Sequence, residues 1–209
     1  MSASLYPAFL VFAIIMVVTP GPANLLLMSS GASHGFYKSI PFVVGVTFGK
    51  LFLTIGLGFG FLTILNSNIL FLQILKFIGT AYICWLSYKL LYLDFTSNMK
   101  HEKSVPSILN GLLVHPLNPK GWAMVIAAYT QFTSLGNLQS EINWITEVII
   151  VALTFFGIQV FSHSLWCWSG DLIFKFLSKK NFLKKLLVIT LSLLTVATVI
   201  YSNFLSNAF

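Results

Sequence analysis

Two short runs place prolines and asparagines in the middle of otherwise apolar sequence: T-P-G-P-A-N at 19–24 and H-P-L-N-P-K at 115–120. Proline removes a backbone donor and clashes with the preceding turn, so two prolines one or two residues apart open a helix and free its carbonyls and amides. Free amides at a half-helix N-terminus suit a carboxylate, and free carbonyls suit an ammonium. Thr19, Pro20, Gly21, Pro22 and Asn24 of the first run, with Asn118, Pro119 and Lys120 of the second, are therefore candidate substrate-binding residues. Asn24 and Asn118 each add an amide that both donates and accepts. The same asparagines also suit capping of the broken ends, a role in folding alone.

Lys50 is the second cationic candidate. It lies about eleven residues, or roughly 16 Å, inside its apolar segment, too deep for easy snorkelling. A lysine there costs about 2.5–3.5 kcal/mol on insertion scales, so it should face the bundle interior and either pair with a substrate carboxylate or exchange a proton. Thr47, Lys50 and Thr54 form a polar stripe on one helical face. Tyr82 and Trp85 share a face with Lys89, and Gln159 and His163 share one with Trp166, making Thr47, Thr54, Tyr82, Trp85, Gln159 and His163 candidate cavity-lining residues. A lone intramembrane His is more often a packing residue than a proton relay, and no acidic residue stands at a helical offset beside this one. Gly45, Gly49, Gly56 and Gly60 fall within a sector of roughly 60° and read as a helix-packing face.

Positioning these residues requires a particular kind of scaffold. Of the 209 residues, 57% are hydrophobic and 8% charged, where a soluble domain has roughly a quarter charged. The lipid bilayer is the solvent such a chain is built for. Apolar segments at about 5–30, 39–65, 69–93, 107–133, 143–168 and 183–206 each supply the ~20 residues that cross a ~30 Å hydrocarbon layer. The first run lacks a basic flank and a small-residue cleavage pattern, so it reads as a retained helix and not a signal peptide.

All twelve basic residues are Lys. Lys38 lies in the first connection, Lys100 and Lys103 in the third, and Lys175, Lys179, Lys180, Lys184 and Lys185 in or beside the fifth. The other connections and both tails have none, which places the odd connections in the cytoplasm and both termini in the periplasm. The expected architecture is an all-α integral membrane protein of about six transmembrane helices in a single domain. Three crossings per half, with the first and fourth helices broken near their middles, describe two inverted three-helix repeats. Trp144 sits at an outer boundary as an interface anchor, and Lys76, near the outer end of the third segment, receives no function.

Several function classes fall away. The net charge of +7 would attract nucleic acid, but no lysine cluster is interleaved with exposed aromatics. Cys84 and Cys167 form neither a redox pair nor a metal set, so no metal and no cofactor is expected. An intramembrane enzyme would need a nucleophile with its base or paired carboxylates at membrane depth. The five acidic residues, Asp94, Glu102, Glu141, Glu147 and Asp171, all fall in connections or near helix ends. Hydropathy alone fits a channel or an assembly subunit as well as a carrier.

Taken in order, T-P-G-P-A-N at 19–24, S-H-G-F at 33–36, G-T-A-Y-I-C-W-L-S-Y-K-L at 79–90 and G-L-L-V-H-P-L-N-P-K-G-W at 111–122 resemble the lysine exporter superfamily. The likeness is to its homoserine and threonine exporter branch, and most of all to the cysteine and O-acetylserine exporter subgroup. It covers the first two-thirds of the chain well. The resemblance implies an exporter of small amino acids or close derivatives in the bacterial inner membrane, driven by the proton gradient and without an ATP-binding part. Its partners would be the bilayer, a small amino-acid substrate and protons as coupling ion, with a homo-oligomer compatible and no nucleic acid. Two positions depart from the pattern: Ala23 stands where many relatives have Asn or Asp, and Lys50 where many have an acidic or apolar residue.

Overall fold

The computed structural model describes residues 5–61, scattered positions between 74 and 88, and residues 105–133, 144–177 and 181–205, with some side chains of the last helix left out. Among these, all regular structure is helical. Helix α1 spans Tyr6–Val18 and α2 spans Pro22–His34, meeting at a bend of 48°. Helix α3 covers Phe36–Gly56 and continues as a π-helical turn through Leu57–Phe61. After the third expected segment come α4 (Ile108–Val114), α5 (Pro119–Phe132), α6 (Trp144–Phe176) and α7 (Asn181–Leu205).

The helix ends follow local chemistry. Pro20 and Pro22 lack backbone donors, and the last turn of α1 closes with Thr19 N–H on the Ile15 carbonyl at 3.0 Å. Gly35, at φ 83°, turns α2 directly into α3, a conformation that disfavours a side chain. The first connection is thus a single residue, which puts Lys38 in the first turn of α3 instead of a loop. Ser107 and Asn110 form a reciprocal capping box that starts α4. Gly60, at φ 106°, breaks the π turn.

Helix α3 with its extension (Phe36–Gly60) and α6 are each long and apolar enough to cross a membrane, and the bent α1–α2 pair is so when its two helices are taken together as one broken span. Helix α6 runs 33 residues, about 50 Å at 1.5 Å per residue, and so continues past the expected end at 168. Most of the segment expected at 69–93 lies outside the described residues, as do Lys76, Lys89, Lys100, Lys103, Lys179 and Lys180. The positions described within it are helical.

The burial pattern is inverted relative to a water-soluble bundle. Helix α6 exposes Leu153, Phe161 and Leu165 while burying Gln159, Ser162 and His163. Two apolar clusters form the interior. One gathers Phe9, Ala13 and Val17 of α1 with Leu53, Met124, Tyr129 and Phe155. The other gathers Ala23, Leu26 and Leu27 of α2 with Phe42, Val46, Val114 and Cys167. The α1–α2 pair and α6 pass from the first cluster to the second along the chain, whereas α3 and the α4–α5 pair pass from the second to the first. Both helix breaks therefore lie between the clusters.

Glycines make the closest crossings. A Cβ on Gly45 would stand 2.1 Å from the Ile108 carbonyl oxygen, one on Gly49 2.3 Å from that of Leu112, and one on Gly111 2.4 Å from that of Phe42. Gly31 and Gly170 make an equivalent seam between α2 and α6, where Cβ atoms would stand 1.9 Å from the Cys167 and Met28 carbonyl oxygens. Gly56 and Gly60 complete the sequence stripe but meet no described atom within 4 Å.

Gly49→Ala is expected to destabilise the detergent-solubilised protein by about 1–3 kcal/mol through overpacking. Gly56→Ala, with open space and a helix-favouring residue, is expected to leave it unchanged or stabilise it by up to ~1 kcal/mol. Thermal unfolding of the two variants checks the ranking, and equal loss in both would contradict the seam.

Candidate functional site

Between the two apolar clusters lies a polar layer supplied by every helix that passes through it. On α3 it is Thr47 and Lys50, between Val46 and Leu53; on α6 it is Gln159 and His163, between Phe155 and Cys167. The breaks supply Thr19 to Asn24 and His115 to Lys120. In hydrocarbon the loosened backbone of such breaks needs partners, and the layer shows where they come from.

At the first break the Thr19 hydroxyl donates to the Ile15 carbonyl. Asn24, from the first turn of α2, folds its amide back and donates to the carbonyls of Val17 at 2.7 Å and Thr19 at 3.1 Å. At the second break Asn118 is the N-cap of α5, accepting from the Lys120 backbone N–H at 3.0 Å. The Trp122 indole N–H donates to the Pro116 carbonyl at 2.7 Å. Lys120 then joins the breaks: its ammonium donates to the carbonyls of Thr19 at 3.0 Å and Pro20 at 3.4 Å. Gly21 lies against the Lys120 side chain, where a Cβ would meet the Lys120 Cδ at 2.9 Å. The N-terminus of α2 at Gly21 carries no side-chain cap.

Thr47 donates its one proton to the Val43 carbonyl, so its 2.9 Å contact with His163 Nδ1 has the imidazole N–H as donor. That assigns His163 the Nδ1–H tautomer when neutral and leaves Nε2 as acceptor. His115 stacks on His163 with ring centroids 5.5 Å apart and planes inclined by 22°. Both nitrogens of His115 and both amide atoms of Gln159 are buried without a hydrogen-bond partner. Buried polar groups are normally satisfied, so unsatisfied ones here mark a place where a ligand or water belongs.

These groups enclose a cavity of about 20 Å³, room for about one water molecule. Asn24, His115, Asn118 and Lys120 from the breaks, with Gln159 and His163 of α6, form its polar wall. Among the described residues no group of His, Cys, Asp and Glu could hold a metal ion.

Of the residues singled out from sequence, Gly21, Asn24, Asn118, Lys120, Gln159 and His163 line the cavity. Thr19 and Pro20 contribute the carbonyls beneath Lys120, while Pro22 and Pro119 open α2 and α5. Lys50 is fully buried just behind the wall, donating to the Gly121 carbonyl at 2.9 Å. Thr54 lies beyond the layer, its hydroxyl on the Lys50 carbonyl and its own carbonyl receiving the Tyr129 hydroxyl at 2.8 Å. Tyr82 donates to the Asn110 carbonyl at 2.7 Å, and the half-exposed Trp85 stacks near it, so neither reaches the cavity. His115 is the cavity residue that helical stripes do not reveal. It belongs to no stripe, and its signal is only that it precedes Pro116.

The LysE type translocator model matches residues 14–203, which include every element of this layer. The chain belongs to that family. It is similar to the cysteine/O-acetylserine efflux protein of Salmonella paratyphi A, 29% identical over 177 residues covering 82% of this chain and 85% of the relative. It is also similar to the leucine efflux protein of Enterobacter sp. strain 638, 26% identical over 183 residues covering 85% of each. The cysteine/O-acetylserine efflux protein of Escherichia coli O157:H7 is 27% identical over 176 residues, 82% of this chain and 85% of that one. No solved structure matches the chain significantly. Membership places the chain among translocators.

Loss of the second cap should be readable by itself. Asn118→Ala is expected to lower stability by about 1 kcal/mol, and Asn118→Ser to recover most of it, because serine also caps. Thermal unfolding in detergent checks this, and an Ala variant as stable as wild type would show that the cap contributes nothing.

Proposed function

We propose that this protein exports small amino acids or close derivatives across the bacterial inner membrane, with the substrate held between the two broken helices. The observation that carries this is the convergence of both breaks on one polar layer. Lys120 crosses from the second break to the carbonyls of the first, and unpartnered Gln159 and His115 face the same cavity. The substrate carboxylate takes the Lys120 ammonium together with the uncapped N-terminus of α2. Its ammonium takes the acceptors opposite, the Gln159 carbonyl oxygen and a His115 ring nitrogen. The names of the relatives, efflux proteins for cysteine, O-acetylserine and leucine, favour neutral amino acids.

The proposed architecture is six crossings in two inverted three-helix repeats, with both termini in the periplasm and the proton gradient as driving force. Supporting it, the α1–α2 pair runs opposite to the α4–α5 pair relative to the two clusters, and α3 runs opposite to α6. That is the relation an inverted repeat requires.

The site assignment is tested by Asn24→Ala and Lys120→Met, scored for both membrane abundance and export of labelled cysteine and leucine. Export by Lys120→Met is expected to fall about tenfold or more per molecule present in the membrane, the loss of a charged hydrogen bond worth ~1.5–3 kcal/mol, beyond any fall in abundance from the lost backbone pairing. Equal loss of abundance and export would leave the residues with a structural role alone. For topology, a reporter that matures only in the cytoplasm and is fused after Phe209 is expected to stay dark. A bright fusion would refute the six-crossing layout.

A further inference from the structure

Lys50 is the buried cation that substrate binding leaves unused. Its amino group is fully enclosed and lies behind the cavity wall, with one hydrogen-bond acceptor, the Gly121 carbonyl at 2.9 Å, and the Phe155 ring centroid at 5.2 Å. An ammonium brings three donors, whereas an amine brings two and a lone pair. One carbonyl and one ring face suit the amine at least as well as the ammonium. Among the described residues, the groups around it offer no counter-ion. Helix α5 contributes Lys120 and Tyr129, whose hydroxyl is committed to the Thr54 carbonyl. The second break contributes His115, and α6 contributes His163, which is held by Thr47 one turn from Lys50 on α3. Helices α2 and α4 bring no titratable side chain to this layer, α2 having only His34 at its far end. The described carboxylates lie elsewhere on α6: Glu147 in its first turn, and Asp171 near its other end, paired with Lys175 at 2.8 Å.

We propose that Lys50 is the proton-exchanging residue of the transport cycle, and that a proton on its amino group and the substrate's ammonium in the adjoining cavity exclude each other. This rests on the exporter reading above. The two positive charges would stand on either side of Gly121, without an intervening carboxylate among the described residues, where like charges repel strongly. Substrate entering from the cytoplasm therefore discharges the Lys50 proton to that side. After the helices reopen, a periplasmic proton takes the nitrogen lone pair and drives the ammonium out. One amino acid leaves for each proton that enters, and no other bond changes. Because linkage is reciprocal, acidification weakens substrate binding by the same factor by which substrate weakens proton binding.

The test uses purified full-length protein in proteoliposomes, with labelled leucine and, separately, labelled cysteine under reducing conditions. Two activities are read: counterflow at equal pH on both sides, and accumulation driven by an imposed pH gradient. Wild type is expected to show both. Lys50→Met, which keeps length and removes the titratable group, is expected to retain counterflow and lose gradient-driven accumulation. Wild-type protein in weakly buffered detergent supplies a readout independent of any variant: about one proton released per leucine or cysteine bound, counted below the thiol range, as reciprocal linkage demands. Gradient-driven accumulation by Lys50→Met overturns the assignment, as does loss of counterflow at normal abundance, which would place Lys50 in the substrate site. Should Lys50→Met fail to reach the membrane, absence of proton release from wild type overturns it alone. No wild-type counterflow with either compound would instead remove the exporter reading itself.

Discussion

A broken helix inside hydrocarbon must find partners for the carbonyls and amides it frees, and that constraint organises this molecule. An unsatisfied backbone group there costs several kcal/mol, so the loosened backbone at 19–21 and 115–118 needs partners, and more so at the first break, where Thr19 and Pro20 are exposed among the described residues. Each is repaired first by its own asparagine, Asn24 tying back the end of α1 and Asn118 starting α5. What they leave open is closed from the other side. Lys120 covers the carbonyls of the first break, so each half of the chain completes the other.

The rest of the bundle accommodates this polar layer. Apolar clusters above and below it hold the helices together, and each helix changes from apolar to polar and back as it passes through. Close approach comes from glycines: Gly45, Gly49 and Gly111 bring α3 onto α4, and Gly31 and Gly170 bring α2 onto α6. With little hydrophobic force between helices in lipid, such backbone contact is a main source of association. Both seams lie on the side of the second cluster, since α2, the start of α3, α4 and the end of α6 all belong there. The contacts of α1 with α6 and of α5 with α3 are sparser. Among the described residues, the close backbone seams are thus concentrated on one side of the polar layer.

The layer is chemically lopsided. It holds two lysines and two histidines and, among the described residues, no carboxylate. Lys120 has carbonyls to sit on and can also receive a carboxylate, while Lys50 has a single acceptor behind the wall. Two lysines in one layer are therefore not equivalent, and the difference lies in what surrounds each nitrogen, not in depth or residue type.

Much of this was legible in the chain itself. Composition fixed the bilayer as solvent, because 8% charged residues cannot cover a surface in water. Proline chemistry located both breaks to the residue, since a missing donor and a steric clash act locally whatever the fold. The cost of a buried lysine marked Lys50 and Lys120 as residues that must face inward. Tertiary structure decided which inward faces meet. A stripe at helical spacing gives an angle around its own helix but not the rotation of that helix against its neighbours. So Gln159 and His163 reach the cavity while Tyr82 and Trp85 do not, and Gly45 and Gly49 pack while Gly56 and Gly60 do not. His115, outside any stripe, became visible only when α6 brought His163 against it. Contacts between residues tens of positions apart depend on how the helices dock, which local periodicity does not encode.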